Sequence, residues 1–445
     1  MRWLLNIVYL LLLTALSPLI AWRALRHGRY RRGLAEKLFG SVTIRHDGRP
    51  IVWFHAVSVG EVIQLQKVVD EFRSQTSDRF AVLVSTSTDT GYELARQRFP
   101  GCQLTWFPLD FSWAVCEAIH SIDPALVVLM ELELWPNFLA ECRARFVPIA
   151  VVNARLSERS HRGYSRILWL MAPLFRQLNL VAAQSQTYAD RLQSLGVPAE
   201  SIRISGSIKF DGVETSRTNP RTQQLRDLFR LSDDEIVFMA GSTQEPEEQL
   251  ALDTWQQLRE HHPNLRLILV PRHRERFDAV AALVGSSGAT LLRRSALSTV
   301  AWPHLGRAPA ERPVILLDTI GELSACWGLA DIAFVGGSFG NRGGQNMIEP
   351  AAYGACILFG PNTWNFRDVV QSFREASACV QLESPTELLT MVEKLVADSA
   401  DRRRLGDAAQ SVVLRQQGAT FATAAMLAEL VAASAVIPPC HRDAA

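Results

Sequence analysis

The side chains best suited to chemistry stand where short apolar runs of this sequence end. Glu61 is the last residue of the turn AVSVGE (56–61), which follows the run IVWFH (51–55) and begins a helical pattern. A carboxylate there could accept the proton of an incoming hydroxyl group. It could equally complement the helix dipole, which is worth about 0.3–1 kcal/mol. Position alone leaves both roles open.

Two more acidic residues end another run in the first half, and a lysine lies in the segment that closes this half. Glu131 and Glu133 alternate in MELELWPN (130–137), so a strand that ends there would direct only one of them at a ligand. Because buried carboxylates cost free energy unless they are paired or used, function and structure stay equally open. Lys209 in SGSIKFD (205–211) could reach a negative charge on a donor, although its spacing alone favours an ordinary surface lysine.

The second half carries patterns that suit an anionic ligand. In AGSTQEPEE (240–248), Ser and Thr stand near a predicted helix start, where amides can cradle an anion. In VPRHRERF (270–277), Arg272 directly follows an apolar run. Its planar guanidinium suits phosphate or carboxylate, with a solvated surface position as the alternative. Gly321 and Glu322 begin a further helical pattern.

A glycine-rich stretch, VGGSFGNRGGQNMIEPAAYG (335–354), leads into another helical pattern. Asn346 and Glu349 fall three residues apart, on one face of that helix. They could hold the base and ribose hydroxyls of a nucleotide while the amides of the loop hold its phosphate. The second half is therefore predicted to contain a nucleotide site.

Several common catalytic motifs are absent from the sequence. There is no G-x-x-x-x-G-K-[ST], no G-x-G-x-x-G after the first run, no G-x-S-x-G, no H-E-x-x-H and no Asp-x-Asp pair. A phosphate leaving group would have to be stabilised by amides, helix dipoles and basic side chains. The 7 cysteines show no Cys-x-x-Cys spacing, which argues against a structural zinc site. The net charge of +1 gives no electrostatic support for a nucleic-acid partner.

Alternating apolar runs and amphipathic stretches position these residues. The runs lie at 51–55, 80–86, 104–107, 125–130, 148–152 and 180–184, and then at 235–241, 265–271, 314–318, 331–337 and 356–360. Near-continuous apolar strands separated by helices predict parallel sheets covered on both faces. We therefore predict a Rossmann-like domain over 50–212, a linker over 213–222 and a second such domain over 223–433. Ligands are expected at the carboxyl ends of the strands, in a central cleft.

The N-terminus predicts a transmembrane helix. Residues 3–22 carry no charge, and at ~1.5 Å per residue they span roughly 30 Å, the hydrocarbon core of a bilayer. Arg2 alone precedes the stretch, whereas five arginines follow it within 23–32, so the positive-inside rule puts the rest of the chain in the cytoplasm. A cleaved signal peptide is the alternative, but no Ala-x-Ala site precedes the arginines. The basic segment 23–49 could contact anionic membrane lipids.

Together these segments resemble the 3-deoxy-D-manno-octulosonic acid (Kdo) transferases of lipopolysaccharide synthesis, over nearly the whole chain. The resemblance rests on RGLAEKLFG (32–40), HAVSVGE (55–61), ELELWPN (131–137), VNARLS (152–157), GSIKFD (206–211), GSTQEPEE (241–248), PRHRERF (271–277), IGEL (320–323), AFVGGSF (333–339), NMIEPAAYG (346–354) and GPNTWNF (360–366). The order and spacing of this set are far more specific than any one segment.

The resemblance implies a GT-B glycosyltransferase, an α/β fold in which two Rossmann-like doubly wound domains face a central cleft. It implies an inverting, metal-independent transfer of Kdo from CMP-Kdo to a lipid A precursor, without a cofactor, at the cytoplasmic face of a bacterial inner membrane. By similarity, Glu61 is the general base, and Glu131 and Lys209 stabilise the transition state. The positions that match CMP contacts are Pro271, Arg272, Ile320, Gly321, Glu322, Asn346, Met347, Ile348 and Glu349.

Two positions depart from the family pattern. Relatives usually have His before Asn346 and in the segment 241–248, where this chain has Gln345 and Gln244. Glutamine can donate a hydrogen bond but cannot carry a positive charge. The departures leave open a second hypothesis, a diverged GT-B glycosyltransferase that uses another nucleotide sugar or lipid acceptor. A third, a catalytically inactive membrane scaffold, is disfavoured because all the charged candidates of the matched motifs are present.

Overall fold

The computed structural model describes residues 2–27, 32–297 and 312–435. The chain forms two compact units. The first unit comprises the chain up to Asp211 together with the segment from Gln417 onward, and the second unit runs from Gly212 to Gln416. Each unit is built around its own sheet.

The sheet of the first unit has 7 strands among the described residues, all paired in parallel. In chain order they are β1 (Ile51–His55), β2 (Ala81–Thr86), β3 (Gln103–Trp106), β4 (Pro124–Met130), β5 (Ile149–Ala154), β6 (Leu180–Ala183) and β7 (Ile202–Ile204). The order across the sheet is β3-β2-β1-β4-β5-β6-β7. Alternate residues of β1 enter hydrophobic clusters on opposite faces, as Trp53 and Phe54 do, so both faces are covered.

The sheet of the second unit also has 7 parallel strands within the described ranges. They are β8 (Ile236–Thr243), β9 (Leu265–Pro271), β10 (Leu291–Arg293), β11 (Val314–Leu316), β12 (Ile332–Val335), β13 (Cys356–Phe359) and β14 (Val380–Gln381), in the order β10-β11-β9-β8-β12-β13-β14. Two parallel-sheet α/β units confirm the predicted fold class at this level.

Helices pack on these sheets. The first unit contains α1 (Arg2–His27), α2 (Leu34–Phe39), α3 (Val59–Gln75), α4 (Asp89–Arg98), α5 (Ser112–Ile122), α6 (Pro136–Ala144), α7 (Glu158–Arg166), α8 (Leu168–Phe175) and α9 (Gln186–Ser194). The second contains α10 (Pro220–Phe229), α11 (Glu247–Leu258), α12 (Phe277–Ser286), α13 (Leu323–Cys326), α14 (Ile348–Ala352), α15 (Arg367–Glu375), α16 (Glu387–Ala397) and α17 (Ser399–Gln416). The last helix, α18 (Ala419–Ala435), returns to the first unit.

Each sheet has a point where successive strands are added on opposite sides. It lies between β1 and β4 in the first unit and between β8 and β12 in the second. Open parallel sheets bind ligands at the carboxyl ends of the strands beside such a switch point. The loops after β1, β4, β8 and β12 are therefore the places to look for a site.

The second domain was predicted to extend to residue 433. In the structure α18 instead belongs to the first unit. The apolar side of α18 joins the core that α3 covers, where Leu427 and Val431 are buried beside Val62. The Asp211 carboxylate accepts hydrogen bonds from the backbone N–H groups of Gly418 and Thr420, at 2.7 and 2.5 Å. The helical pattern in the sequence shows that α18 has an apolar face but not which unit buries it. In the structure the first unit buries this face.

Residues 3–22 were predicted to form a transmembrane helix. They lie within α1, and the structure does not support a membrane span there. No helix among the described residues is both long enough and apolar enough to cross a membrane. Asn6 is buried and exchanges hydrogen bonds with Ser112 at 2.7 and 3.0 Å, and the Tyr9 hydroxyl donates to Asp110 at 2.9 Å. Polar side chains thus interrupt the apolar run and dock α1 on the first unit. In the predicted basic segment, Arg29 and Arg31 lie outside the described residues.

Candidate active site

Glu61 lies in the first turn of α3, beside the switch point between β1 and β4. Ser58 Oγ accepts a hydrogen bond from the Glu61 backbone N–H at 3.3 Å and donates one to Glu61 Oε1 at 2.8 Å. The backbone N–H of Val57 donates to Glu61 Oε2 at 2.9 Å. These bonds resemble a capping box, so Glu61 does stabilise the helix start. They also hold its carboxylate in one orientation, as a positioned base requires.

The Glu61 carboxyl group holds its proton more tightly than a solvated one. Burial raises the pKa of Glu61, the hydrogen bonds from Val57 and Ser58 oppose this, and the charge of Glu131 raises the pKa further. A general base is most effective when its pKa approaches the working pH. The environment of Glu61 therefore suits proton acceptance better than an exposed position would.

Two further carboxylates follow β4, and both affect the same site. Burial raises the pKa of Glu133, and the charges of Glu61 and Glu131 raise it further. The prediction that only one of Glu131 and Glu133 faces the site assumed that the strand continues through both residues, and it does not. The strand ends at Met130, and Glu131 adopts a φ of 54°, in the left-handed region. The loop after β4 therefore contributes two negative charges rather than one.

Arg155 partly compensates this negative charge. Its guanidinium binds Glu131 through two contacts, Nε to Oε1 at 3.2 Å and Nη2 to Oε2 at 3.3 Å. The side chain follows β5, the next strand in the sheet after β4. A paired guanidinium keeps its charge and can still face a second anion. Although Arg155 lies in a segment that resembles the family, the sequence alone assigned it no role.

Lys209 is held at a defined position by the backbone around it. It lies in a short 3₁₀ helix, Ile208–Phe210, which follows β7. The backbone N–H of Ile208 donates to Asn153 Oδ1 at 3.3 Å. This bond ties the 3₁₀ helix to the end of β5, and thus to the strand that leads into Arg155.

The second unit contains a carboxylate surrounded by backbone amides. Glu247, in the first turn of α11, is 1% exposed. Its two oxygens accept hydrogen bonds from the N–H groups of Gln244 at 3.0 Å, Gly337 at 2.7 Å, Ser338 at 2.9 Å and Phe339 at 3.1 Å. Three of these amides belong to the glycine-rich loop after β12. The Glu247 carboxylate therefore fastens that loop to the loop after β8, across the switch point.

The close contact requires glycine at position 336. A Cβ atom added there would lie 2.6 Å from Thr243 Cα and 2.7 Å from Glu247 Oε2. The sequence suggested that amides of this loop hold a phosphate. Three of them are instead occupied by the protein's own carboxylate, which has the same charge sign as a phosphate. A bound phosphate would have to use other donors.

Arg272 is one such donor. It follows Pro271, the last residue of β9, and its backbone N–H donates to the Thr243 carbonyl at 3.0 Å. This bond places Arg272 next to the loop after β8, while its side chain is exposed. Within the described residues no ion pair engages the guanidinium. The chain thus offers a positive charge at the carboxyl edge of the second sheet.

The other predicted nucleotide contacts fall into two groups. Glu322 accepts a hydrogen bond from Arg294 Nη2 at 2.8 Å, and Ile320 before it is exposed. The positive φ of Gly321 makes the turn between these two residues. Glu322 is therefore held and paired before α13 begins.

The second group begins α14. Asn346 Nδ2 donates to Glu349 Oε1 at 2.9 Å, but Asn346 precedes the first residue of α14, so the bond joins the loop to the helix and the two residues do not share a helix face as predicted. The side chains of Met347 and Ile348 are buried. These two predicted contacts therefore have almost no exposed surface for a ligand.

A metal site is not apparent in the described ranges. No group of three or more His, Cys, Asp or Glu side chains there could hold a metal ion.

The comparisons with known proteins cover both units. A family model described as 3-deoxy-D-manno-octulosonic-acid transferase (kdotransferase) matches residues 26–212. The 3-deoxy-D-manno-octulosonic acid transferase of Haemophilus influenzae is 33% identical over 420 residues, which are 92% of this chain and 95% of the relative. The enzyme of the same name from Bordetella pertussis is 33% identical over 433 residues, 94% of this chain and 97% of the relative.

A solved structure shares the fold at low identity. The crystal structure of a putative UDP-N-acetylglucosamine 2-epimerase from Listeria monocytogenes matches with a TM-score of 0.53 and 13% identity. The match covers 88% of this chain and 98% of the epimerase chain. At that identity the likeness concerns the fold alone.

Proposed function

Since this chain belongs to the 3-deoxy-D-manno-octulosonic acid (Kdo) transferase family, we propose that it transfers Kdo from CMP-Kdo to a lipid A precursor in lipopolysaccharide synthesis. The chain is a glycosyltransferase, and its likeness to the named relatives extends over nearly its whole length. The observation that carries the proposed chemistry is the carboxylate of Glu61, partly buried and fixed in orientation at the switch point of the first sheet.

The proposed reaction is a single displacement. Glu61 takes the proton from a hydroxyl group of the acceptor sugar, and the oxygen forms a bond to the anomeric carbon of Kdo. The bond from that carbon to the phosphate oxygen of CMP breaks, and its electron pair leaves with CMP. Attack from the side opposite the leaving group inverts the configuration at the carbon. Neither a metal ion nor a cofactor takes part in this proposal.

We give the charged groups of each unit a separate role. We assign Glu131, together with its partner Arg155, to transition-state stabilisation in the first unit, and Lys209 to the same task. In the second unit, Arg272 is assigned to the phosphate of CMP, because its exposed guanidinium suits a phosphate. The segments 320–322 and 346–349 are assigned to the rest of the nucleotide.

A transfer assay tests the proposal directly. Purified protein is incubated in detergent with CMP-Kdo, made in situ, and a tetraacylated lipid A precursor, and the lipid is weighed by mass spectrometry. A product heavier by one or more Kdo units is expected, and the mass also counts the additions. Folded protein that gives no product would contradict the proposal. Competition by CMP against UDP then tests the alternative of a different nucleotide sugar, which Gln244 and Gln345 leave open.

Substitution of Arg272 is expected to weaken nucleotide binding. A hydrogen bond to a charged group contributes about 1.5–3 kcal/mol, so Arg272→Ala should raise the dissociation constant of CMP about 10- to 100-fold. Isothermal titration calorimetry measures this directly. The matched control is Arg274→Ala, which removes another exposed arginine of the same loop. Equal CMP affinity in wild type and Arg272→Ala would remove Arg272 from the donor site.

We further propose that the enzyme works at the cytoplasmic face of a bacterial inner membrane and touches it through α1. Trp3, Leu4 and Leu11 of this helix are 78%, 65% and 66% exposed. Nearby aromatic side chains, Phe39 and Trp113, are exposed as well. Exposed apolar and aromatic groups of this kind favour a membrane interface. A contact of this kind would place the enzyme next to the proposed lipid acceptor, which resides in the membrane.

Vesicle sedimentation tests the membrane contact. In the double variant Leu4→Asn/Leu11→Asn, binding to anionic phospholipid vesicles should fall about tenfold or more, because each buried leucine contributes about 1.5–3 kcal/mol. The control is Leu414→Asn, at an exposed leucine of the second unit. If the double variant sediments as wild type does, α1 is not the contacting surface.

A further inference from the structure

One buried side chain connects the elements that carry the proposed catalytic groups of the first unit. Asn153, near the end of β5, has no exposed surface and a φ of 55°. Left-handed backbone costs free energy for any residue but glycine, and asparagine tolerates it better than most. At this residue the pairing of β5 with β6 also shifts register, between Val151 and Ala154. Asn153 therefore combines an unfavourable backbone conformation with irregular strand pairing, near the carboxyl end of β5.

Both polar atoms of the Asn153 side chain form hydrogen bonds. Its Nδ2 donates to Gln64 Oε1 at 2.8 Å, and its Oδ1 accepts from the Ile208 backbone N–H at 3.3 Å. Its backbone carbonyl accepts from Gln184 Nε2 at 2.9 Å. One residue thus links α3, the 3₁₀ helix before the linker, and the end of β6.

The two partners of the Asn153 side chain are close in the chain to groups that the mechanism uses. Gln64 lies three residues after Glu61 on α3, about one helical turn away. Ile208 directly precedes Lys209. Arg155, two residues after Asn153, holds Glu131. The side-chain amide of Asn153 therefore contacts the helix that carries Glu61 and the 3₁₀ helix that carries Lys209, and its backbone leads to Arg155.

The chemistry of the position selects asparagine. The side chain must donate at one end and accept at the other, which an amide does and a carboxylate does not. Aspartate would require the Gln64 amide to turn and donate, and it would bury a negative charge at a position with no exposed surface. Glycine would suit the positive φ but has no side chain to make either bond.

We propose that Asn153 is a positioning residue for the transfer reaction, acting through Gln64 on Glu61 and through Ile208 on Lys209. The inference rests on the proposed function, because it concerns the geometry of the same site. The strain at φ 55° is then the cost of directing one amide at both elements. Asn153 itself contacts no substrate in this assignment.

The variant Asn153→Gly tests the proposal with the backbone conformation preserved. Glycine accepts the positive φ, so the variant removes the two side-chain bonds and leaves the turn possible. We expect kcat to fall about tenfold or more, because a small displacement of a catalytic group is costly. The KM values for donor and acceptor should stay within about twofold, since Asn153 touches neither.

Two additional variants separate positioning from a merely structural role. Asn179→Ala removes a hydrogen bond from the Ile149 backbone N–H, 2.9 Å long, at the opposite end of β5. It should lower the melting temperature without changing kcat. Gln64→Ala removes the acceptor of the hydrogen bond that Asn153 Nδ2 donates, and it should also lower kcat. Because both changes break one link, the double variant Asn153→Gly/Gln64→Ala should lose less activity than the product of the two single losses.

The outcomes distinguish the two proposals. Wild type without transfer activity would overturn the proposed function. Active wild type with unchanged kcat in Asn153→Gly would overturn the positioning role alone, as would full multiplicativity of the two losses. If Asn153→Gly does not fold, unchanged kcat in Gln64→Ala overturns the link to Glu61, and a lowered kcat there with an unchanged KM supports it.

Discussion

Replacing Glu61 by glutamine is expected to lower kcat about 10²-fold or more while the affinity for CMP stays unchanged. Glutamine keeps the size of the side chain and can still accept the hydrogen bond from Val57. It cannot accept the proton of the acceptor hydroxyl. The loss should therefore appear in turnover, measured with the mass-spectrometric transfer assay, and not in donor binding, measured by calorimetry.

The pH profile gives a second reading of the same substitution. Burial raises the pKa of Glu61 above its usual value of 4.5. Only the deprotonated form can act as a base, so wild-type activity should fall as the pH drops through this raised pKa. The acid limb of kcat/KM should accordingly lie at higher pH than a solvated glutamate would give. In Glu61→Gln the residual activity should lack that limb.

A control on the same helix isolates the effect. Glu71→Gln changes a carboxylate of α3 that accepts a hydrogen bond from Gln75, 2.8 Å long, away from the switch point. It should leave kcat within about twofold of wild type, because surface changes away from special features have small effects. If Glu61→Gln turned over at the wild-type rate, another group would have to be the base.

Most of the fold could be predicted from the sequence because most of its strands are buried and therefore form continuous apolar runs. The run 125–130, for example, becomes β4, which is buried almost throughout. The three strands that the runs did not predict, β7, β10 and β14, have 3, 3 and 2 residues and lie at sheet edges. An edge strand is only partly covered, as the exposed residues of β7 illustrate, so it needs no apolar run. The packing of α18 was missed for another reason, since periodicity tells which face is apolar but not what covers it.

The sequence could suggest candidate site residues where a residue type alone points to its chemistry. Arg272 directly follows the run 265–271 and Glu61 ends the short turn after the run 51–55, whereas Lys209 follows no predicted run. Asn153 and Glu247 gave no such signal, because their roles depend on partners 55 to 92 residues away in the chain. A glutamate near a helix start is also common for reasons of helix stability. Only the three-dimensional arrangement of the loops reveals that Glu247 occupies the amides of the glycine-rich loop.

Glu247→Ala is expected to damage the second unit more than any other single substitution considered for it. Four backbone N–H groups would lose their acceptor in an interior that excludes water. An unsatisfied buried donor costs about 1–3 kcal/mol. With partial relaxation, the free energy of unfolding should fall by about 3–5 kcal/mol, measured by denaturant titration of the full chain. CMP affinity should fall as well, because the loop between β12 and α14 leads directly to Asn346.

The isosteric and neighbouring variants show whether the loss comes from the carboxylate. In Glu247→Gln one oxygen remains an acceptor while the –NH₂ group faces backbone N–H groups, so the loss of stability should be intermediate. Glu245→Gln, two residues earlier, changes a largely exposed side chain paired with Arg276 and should cost less than about 0.5 kcal/mol. Acetate or formate added to Glu247→Ala should restore part of the CMP affinity, since a small carboxylate can occupy the vacated amides. Stability near wild type in Glu247→Ala would mean that the glycine-rich loop holds its shape without an anion.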